Sequence, residues 1–118
     1  MATVLLCDDS MFARHMTRRM LSQEFEIVGE AEDGQQAVEQ YAALKPDLLL
    51  VDLVMQRLSG TEAIKRIIAD YPDAKIVVCS AMGQEQLVAE AIAAGAKGFV
   101  VKPANPEKLA AVLGDVLA

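Results

Sequence analysis

The stretch that decides the fold is Leu48-Leu49-Leu50-Val51-Asp52-Leu53-Val54-Met55, an apolar run broken by a single aspartate. A continuous apolar run, without polar residues at alternate positions, is typical of a strand that is buried on both faces. The run is too short to span a bilayer. It therefore predicts a central strand over residues 48–52 that ends on Asp52, an unusual place for an aspartate unless it is a turn residue or has a chemical role.

Outward from this strand, apolar runs and segments with helical periodicity alternate along the chain. The other predicted strands cover residues 4–7, 26–31, 76–79 and 98–101. The apolar faces of the five intervening helices are Ala13, Met16, Met20 and Leu21; Ala37, Val38, Tyr41 and Leu44; Ile64, Ile67, Ile68 and Tyr71; Leu87, Val88, Ala91 and Ile92; and Leu109, Val112, Leu113, Val116 and Leu117. This alternation predicts an α/β domain of (βα)5 type, with a doubly wound five-stranded parallel sheet and helices on both faces.

Local signals agree with this division. Ser10 is a suitable cap for the first helix, and Asn105 followed by Pro106 suits the start of the fifth. Gly95 is a natural terminator for the fourth helix. The ten elements fill residues 1–118, so we expect a single domain with no attached output domain.

Composition excludes several classes of function. With 53% hydrophobic and 24% charged residues the chain should fold, and its net charge of −6 argues against binding to nucleic acid. The N-terminus lacks the basic region of a signal peptide, and no segment is apolar for long enough to cross a membrane. We therefore expect a soluble cytoplasmic protein without membrane contacts. Cys7 and Cys79 are expected to be buried free thiols.

Chemically useful side chains stand where four of the predicted strands end. Asp8 and Asp9 follow the first strand, Asp52 ends the third, Ser80 follows the fourth and Lys102 follows the fifth. Because ligands in open α/β sheets bind at the carboxyl ends of the strands, these five side chains are expected to meet at one edge. Each of them alone has an ordinary explanation, such as a helix cap or a turn residue, but the joint pattern favours a site.

The types of these side chains favour phosphoryl chemistry. Three neighbouring carboxylates repel one another unless a cation is present, and oxygen ligands suit Mg²⁺, whereas no histidine or cysteine stands at the spacing of a zinc site. Asp52 would act as a carboxylate nucleophile. Lys102 could pair with a phosphoryl oxygen, and Ser80 could donate a hydrogen bond to another.

With these residues in place, the chain resembles the response-regulator receiver family over its whole length, and within it the stand-alone chemotaxis regulators found outside the enteric bacteria. The matching segments are VLLCDDS (4–10), VGEAEDG (28–34), KPD (45–47), DLVM (52–55) with Gly60, CSAMGQ (79–84) and AAGAKGFVVKP (93–103). The last two are the more specific to the chemotaxis-like group. The resemblance implies a flavodoxin-like sheet with strand order 2-1-3-4-5.

The resemblance also implies a role for each acidic residue. Asp52 matches the phosphoacceptor, and Asp9 matches the direct ligand of Mg²⁺. Asp8 matches the residue that reaches the ion through water, and the backbone carbonyl of Val54 would complete the coordination by the protein.

A second group of residues matches the switch of this family. Ser80 resembles the hydroxyl that moves toward the phosphoryl group, and Phe99 the aromatic residue that rotates inward, although a core aromatic would also fit. Lys102 matches the phosphoryl-binding lysine, which precedes a cis peptide bond to Pro103. The surface formed by the fourth helix, fifth strand and fifth helix is the usual partner surface.

Some positions depart from the family pattern or carry ordinary structural expectations. Gln56 stands where many receivers have proline, which should loosen the loop in the unbound state, and Ala104 replaces a common aromatic residue. His15 is expected to be exposed on the polar side of the first helix. Met82 and the methionines of the first helix are expected to pack in the interior.

We therefore expect a two-component response regulator that accepts a phosphoryl group on Asp52 from a histidine kinase. It would act as a monomer on a protein target such as the flagellar motor switch, with a phosphatase as a further candidate partner. It is not expected to be a turnover enzyme, although it should phosphorylate itself from small donors. Loss of the phosphoryl group should be slow, because the apolar side chains of Val54 and Met82 cannot orient an attacking water.

Two alternatives remain at this point. A phosphorelay intermediate, which passes its phosphoryl group to another histidine, would share every acceptor residue. A Mg²⁺-dependent phosphatase of the haloacid-dehalogenase type is less favoured, because such enzymes need a second aspartate where this chain has Val54.

Overall fold

Strand and helix alternate five times in the computed structural model, which describes residues 1–55 and 57–118. The elements are β1 (Ala2–Cys7), α1 (Met11–Leu21), β2 (Phe25–Ala31), α2 (Gly34–Leu44), β3 (Leu48–Asp52), α3 (Gly60–Asp70), β4 (Ile76–Ser80), α4 (Glu85–Ala94), β5 (Gly98–Val101) and α5 (Pro106–Leu117). The five strands form one parallel sheet in the order β2-β1-β3-β4-β5. The predicted doubly wound (βα)5 fold is confirmed, with β3 and β5 at their predicted bounds.

The sheet lies between two apolar layers. Alternate residues of the central strands point to opposite faces, so β3 contributes Leu49 and Val51 to one layer and Leu48 and Leu50 to the other. The first layer also contains buried residues of α2, α3 and α4, and the second contains residues of α1 and α5. Residues 48–51 are at most 3% exposed, which agrees with a strand covered on both faces.

Register brings the carboxyl ends of the strands to one edge of the sheet. Cys7 of β1 lies opposite Val51 of β3, so the residue after β1 comes level with Asp52. On the other side, Ser80 of β4 lies opposite Val101 of β5. The sequence predicted Ser80 as the first residue after β4, but in the structure it is the last residue of β4.

Helix boundaries follow the capping signals. The hydroxyl oxygen of Ser10 accepts a hydrogen bond from the amide of Ala13 at 3.1 Å, and Asn105 caps α5 through the amide of Lys108 at 2.7 Å. Gly95 ends α4 with a φ of 126°, a conformation that favours glycine. These three predictions are confirmed.

The predicted packing is wrong for Met82 and for two methionines of α1, whereas Met20 is partly buried and packs against the second apolar layer. Met11 is 74% exposed and Met82 is 83% exposed, and Met16 also reaches solvent. In α1 a buried position is taken instead by Arg14, which is 7% exposed. Its guanidinium donates to the Glu30 carboxylate at 2.9 Å and to the carbonyl of Asp8, and these partners offset the loss of hydration.

Two further predicted apolar positions, Leu44 of α2 and Ile92 of α4, are each 42% exposed. His15 is exposed, as expected. Within the described ranges, we find no helix with the length and hydropathy that crossing a membrane requires. The loosening predicted at Gln56 lies outside the described residues.

Candidate functional site

Three carboxylates converge at the carboxyl edge of the sheet. Asp8 and Asp9 follow β1, and Asp52 ends β3. One carboxylate oxygen from each residue lies within 4.8 Å of the other two. Asp8 and Asp52 are partly buried, whereas Asp9 is exposed. The predicted meeting of these acids is therefore observed, and the cluster opens to solvent on the side of Asp9.

The position of Asp8 is fixed by its neighbours. Its amide donates to the carbonyl of Ala31 at 3.1 Å, which extends the pairing of β1 with β2 by one residue. Its carboxylate accepts the amide of Ser10 at 2.9 Å, and its carbonyl accepts a hydrogen bond from Arg14. The buried arginine of α1 thus supports the acidic cluster through the backbone.

The carboxylate of Asp52 has different partners on its two oxygens. Oδ1 accepts the amide of Val54 at 3.2 Å, and Oδ2 accepts the ammonium of Lys102 at 3.1 Å. Burial raises the pKa of Asp52 above its usual value, and the nearby charge of Asp8 adds to this, while Lys102 and the Val54 amide act in the opposite direction. Placing a second negative charge beside the carboxylate of Asp52 would therefore cost free energy in this site.

Lys102 supplies the positive charge of the site. Its Nζ lies 2.8 Å from Oδ2 of Asp8 as well as 3.1 Å from Oδ2 of Asp52, so the ammonium joins two of the three acids. Burial alone would lower the pKa of Lys102, but the hydrogen bonds that its ammonium donates to these two carboxylates raise it above its usual value. The lysine therefore stays charged at neutral pH. The peptide bond between Lys102 and Pro103 is cis, as the resemblance implied.

Ser80 and Phe99 line one cavity, which lies between β4, β5 and α4. The side chain of Ser80 is 1% exposed at the end of β4, and its carbonyl accepts the amide of Lys102 at 2.7 Å. Phe99 of β5 is 49% exposed, so the alternative that it is a core aromatic is wrong for this conformation. The cavity has a volume of about 500 Å³ and is also lined by Met82 and Val88.

Sequence reasoning missed an ion pair next to the cluster. Arg57, in the loop after β3, donates to the carboxylate of Asp33 at 2.9 Å. Asp33 also caps α2 by accepting the amide of Gln36 at 2.9 Å. The cap could have been predicted, because aspartate is favoured before the first turn of a helix, but nothing in the sequence links residues 33 and 57.

Comparison with known proteins finds one matching family, close sequence relatives and similar solved structures. The family described as "Response regulator receiver domain" matches residues 4–114. The "Chemotaxis protein CheY" of Thermotoga maritima is 46% identical over 114 residues, covering 96% of this chain and 95% of that protein. The "Chemotaxis protein CheY" of Bacillus subtilis is 42% identical over 115 residues, covering 97% and 96%. The crystal structure of the response regulator domain of Thermotoga maritima CheB superposes with a TM-score of 0.85 at 31% identity, covering 98% and 92%.

Proposed function

This chain belongs to the response regulator receiver domain family, and we propose that within this family Asp52 accepts a phosphoryl group from a histidine kinase. The observation that carries the proposal is the position of Asp52, which ends a buried strand beside two further acids and one ammonium. As a receiver domain the chain is a signalling protein rather than a turnover enzyme.

The donor set fits a hard divalent cation. Three carboxylates within 4.8 Å of one another offer only oxygen ligands. Burial, with help from nearby acids, raises the pKa of the Cys7 thiol to about 12, and burial does the same for Cys79. Both thiols therefore stay protonated and do not favour a soft metal.

We assign the coordination of Mg²⁺ to Asp9 directly, to Asp8 through water, and to Asp52 and the carbonyl of Val54. When bound, the ion would offset the negative charges of Asp52 and of the phosphoryl group. The acidic cluster is the feature of this chain that supports the assignment.

The residues around Asp52 would position the reaction. A carboxylate oxygen attacks phosphorus, the bond from phosphorus to the histidine nitrogen of the donor breaks, and the nitrogen keeps the electron pair. Lys102 already lies beside Asp52, so little movement is needed for its ammonium to pair with a phosphoryl oxygen. The exposed side of the cluster, at Asp9, is the side open to a donor.

Phosphorylation would then change the shape of the cavity that Ser80 and Phe99 line. The hydroxyl of Ser80 donates to the phosphoryl group, and the exposed ring of Phe99 turns toward the space that this movement opens. A tenfold shift between two conformations needs only about 1.4 kcal/mol, which one charge-assisted hydrogen bond can supply. The surface of α4, β5 and α5 changes with the ring, and we assign it to the protein target.

The similarity to chemotaxis proteins favours a flagellar motor switch protein as this target. Binding of a candidate switch protein should tighten when beryllofluoride and Mg²⁺ are added, and Asp52→Asn should abolish the change. Transfer of the phosphoryl group from this chain to a second histidine-containing protein would instead support a phosphorelay intermediate.

The acceptor itself is tested by incubating the protein with acetyl phosphate and Mg²⁺. Intact mass spectrometry should show the addition of one phosphoryl group, which is absent with EDTA and absent from Asp52→Asn. Peptide mapping should place the group on Asp52. A phosphoryl group that persists in Asp52→Asn, or that maps to another residue, contradicts the proposal.

A further inference from the structure

Two contacts tie the loop after β3 to the start of α2. The guanidinium of Arg57 donates to Oδ2 of Asp33 at 2.9 Å, and the amide of Gly34 donates to the carbonyl of Leu58 at 3.0 Å. The approach is close, because a Cβ atom on Gly34 would lie 2.3 Å from that carbonyl oxygen. Residues 57 and 58 are therefore fastened to a different helix from the one they lead into.

Asp33 is held rigidly enough to serve as an anchor. Its side chain is 7% exposed, and its Oδ1 accepts the amide of Gln36 as the cap of α2. The hydrogen bond from Gln36 lowers the pKa of Asp33 more than burial raises it, with a further contribution from Arg57. The carboxylate thus stays ionised and fixed at neutral pH.

Arg57 has an unusual backbone conformation for its residue type. Its φ of 63° lies in the left-handed region, which favours glycine or asparagine over residues with long side chains. Such a conformation persists only where surrounding contacts stabilise it. The ion pair with Asp33 is a contact of this kind, and 71% of the Arg57 side chain remains exposed.

Arg57 could influence a cation at the acidic cluster in two opposite ways. It lines the same polar depression as Asp9, so its positive charge would repel the cation through space. Through the backbone, it would order residues 57 and 58, which follow Val54 closely in the chain, and so favour the cation. Because the guanidinium is largely exposed, water and salt screen the repulsion, and the ordering effect should dominate.

We propose that Arg57 is a positioning residue, whose ion pair with Asp33 holds residues 57 and 58 against the start of α2 and thereby favours the arrangement of Asp52 and Val54 that binds a divalent cation. This inference rests on the proposed function, because it concerns the same cation. It predicts that breaking the pair weakens the binding of Mg²⁺ although neither partner is a ligand.

Calorimetric titration with Mg²⁺ tests the proposal in four variants of the pair. Arg57→Asn removes the guanidinium but keeps a residue that tolerates the left-handed backbone, and Asp33→Asn removes the charge but keeps the helix cap. Each should bind Mg²⁺ about threefold more weakly than the parent, since an exposed ion pair shifts an equilibrium only modestly. The double variant should be no weaker than either single variant, and Arg57→Lys should restore part of the affinity.

Arg66 of α3 offers a matched control, because it is an exposed arginine whose guanidinium donates to the side chain of Gln35 in the first turn of α2. Arg66→Ala should leave the affinity unchanged. If Arg57→Asn binds Mg²⁺ as tightly as the parent or more tightly, while Asp33→Asn binds it more weakly, the charges act through space and the proposal is wrong.

A measurement without metal separates this inference from the proposed function. Hydrogen exchange of the Gly34 amide, which is bonded to the loop carbonyl of Leu58, should be severalfold faster in Arg57→Asn than in the parent. An unchanged exchange rate overturns the positioning role. If the parent itself binds no Mg²⁺, the proposed function fails instead, and the exchange experiment still decides whether the ion pair holds the loop.

Discussion

Replacing Lys102 with methionine should destabilise the metal-free protein and, at the same time, strengthen its binding of Mg²⁺. The ammonium lies 2.8 Å from Asp8 and 3.1 Å from Asp52, between two of the three acids. One oxygen from each of the three carboxylates lies within 4.8 Å of the others. Without the ammonium, Asp8 and Asp52 lose the ion pairs that Lys102 makes with them. The same ammonium repels an incoming cation, so its removal should favour the ion while it disfavours the empty fold.

The magnitudes follow from Coulomb's law. Two unit charges 4 Å apart interact by about 1 kcal/mol in water and about 4 kcal/mol at an effective dielectric constant of 20. The Lys102 side chain is 39% exposed, so the lower part of this range applies. We expect the free energy of unfolding to fall by about 1–2 kcal/mol in EDTA. We expect the affinity for Mg²⁺ to rise about tenfold, which corresponds to about 1.4 kcal/mol.

Urea denaturation in EDTA measures the first effect, and calorimetric titration with Mg²⁺ measures the second. Lys97→Met is a suitable control, because Lys97 is exposed and its removal changes the net charge equally. Lys102→Met should differ from this control in both measurements. The reasoning is refuted if Lys102→Met binds Mg²⁺ no more tightly than Lys97→Met, or if it is more stable than the parent without metal.

Three further outcomes are expected. The double variant Val54→Asn, Met82→Glu should lose its phosphoryl group about tenfold faster than the parent, because both side chains are exposed and the new ones can orient water; an equal or longer half-life, followed by mass spectrometry, contradicts this. Gly34→Ala should lower the free energy of unfolding in urea by about 1–3 kcal/mol, since its Cβ would lie 2.3 Å from the carbonyl oxygen of Leu58. Burial would raise the pKa of Glu30, but hydrogen bonds from two arginines lower it below its usual 4.5, so Glu30→Gln should be less stable than the parent at pH 7. This difference should shrink as the pH falls below 4.5, and a constant difference in chemical denaturation would contradict it.

The sheet and the convergence of the acids could be predicted because both depend on backbone geometry. A strand that is apolar at every position has to be covered on both faces, and parallel register then brings the ends of β1, β3, β4 and β5 to one edge. The residues that end or follow those strands meet there whatever their side chains do. For this reason the positions of Asp8, Asp52 and Lys102 followed from the sequence, although the ion pairs among them did not.

The burial of α1 could not be predicted in the same way. Helical periodicity identifies an apolar face, but the residues beneath that face decide which side chain is buried. Glu30 lies on β2, at the edge of the sheet, and accepts hydrogen bonds from Arg14 and Arg18 at 2.9 Å each. A guanidinium with such partners is more stable in this position than the periodicity of the apolar residues suggests, and Met11 is left exposed.

The loop after β3 shows why the remaining part of the site escaped prediction. Asp52 is placed by the register of β3, and Leu53 by the hydrogen bond of its amide to the carbonyl of Cys79. Arg57 and Leu58 are placed instead by contacts with Asp33 and Gly34, each 24 positions away in the sequence. Such a contact leaves no periodic or local signal, because only one partner, the capping residue Asp33, has a recognisable local role. We therefore expect substitutions at the contacts of residues 57 and 58 to change the proposed affinity for a cation, while the register of β3 keeps Asp52 in place.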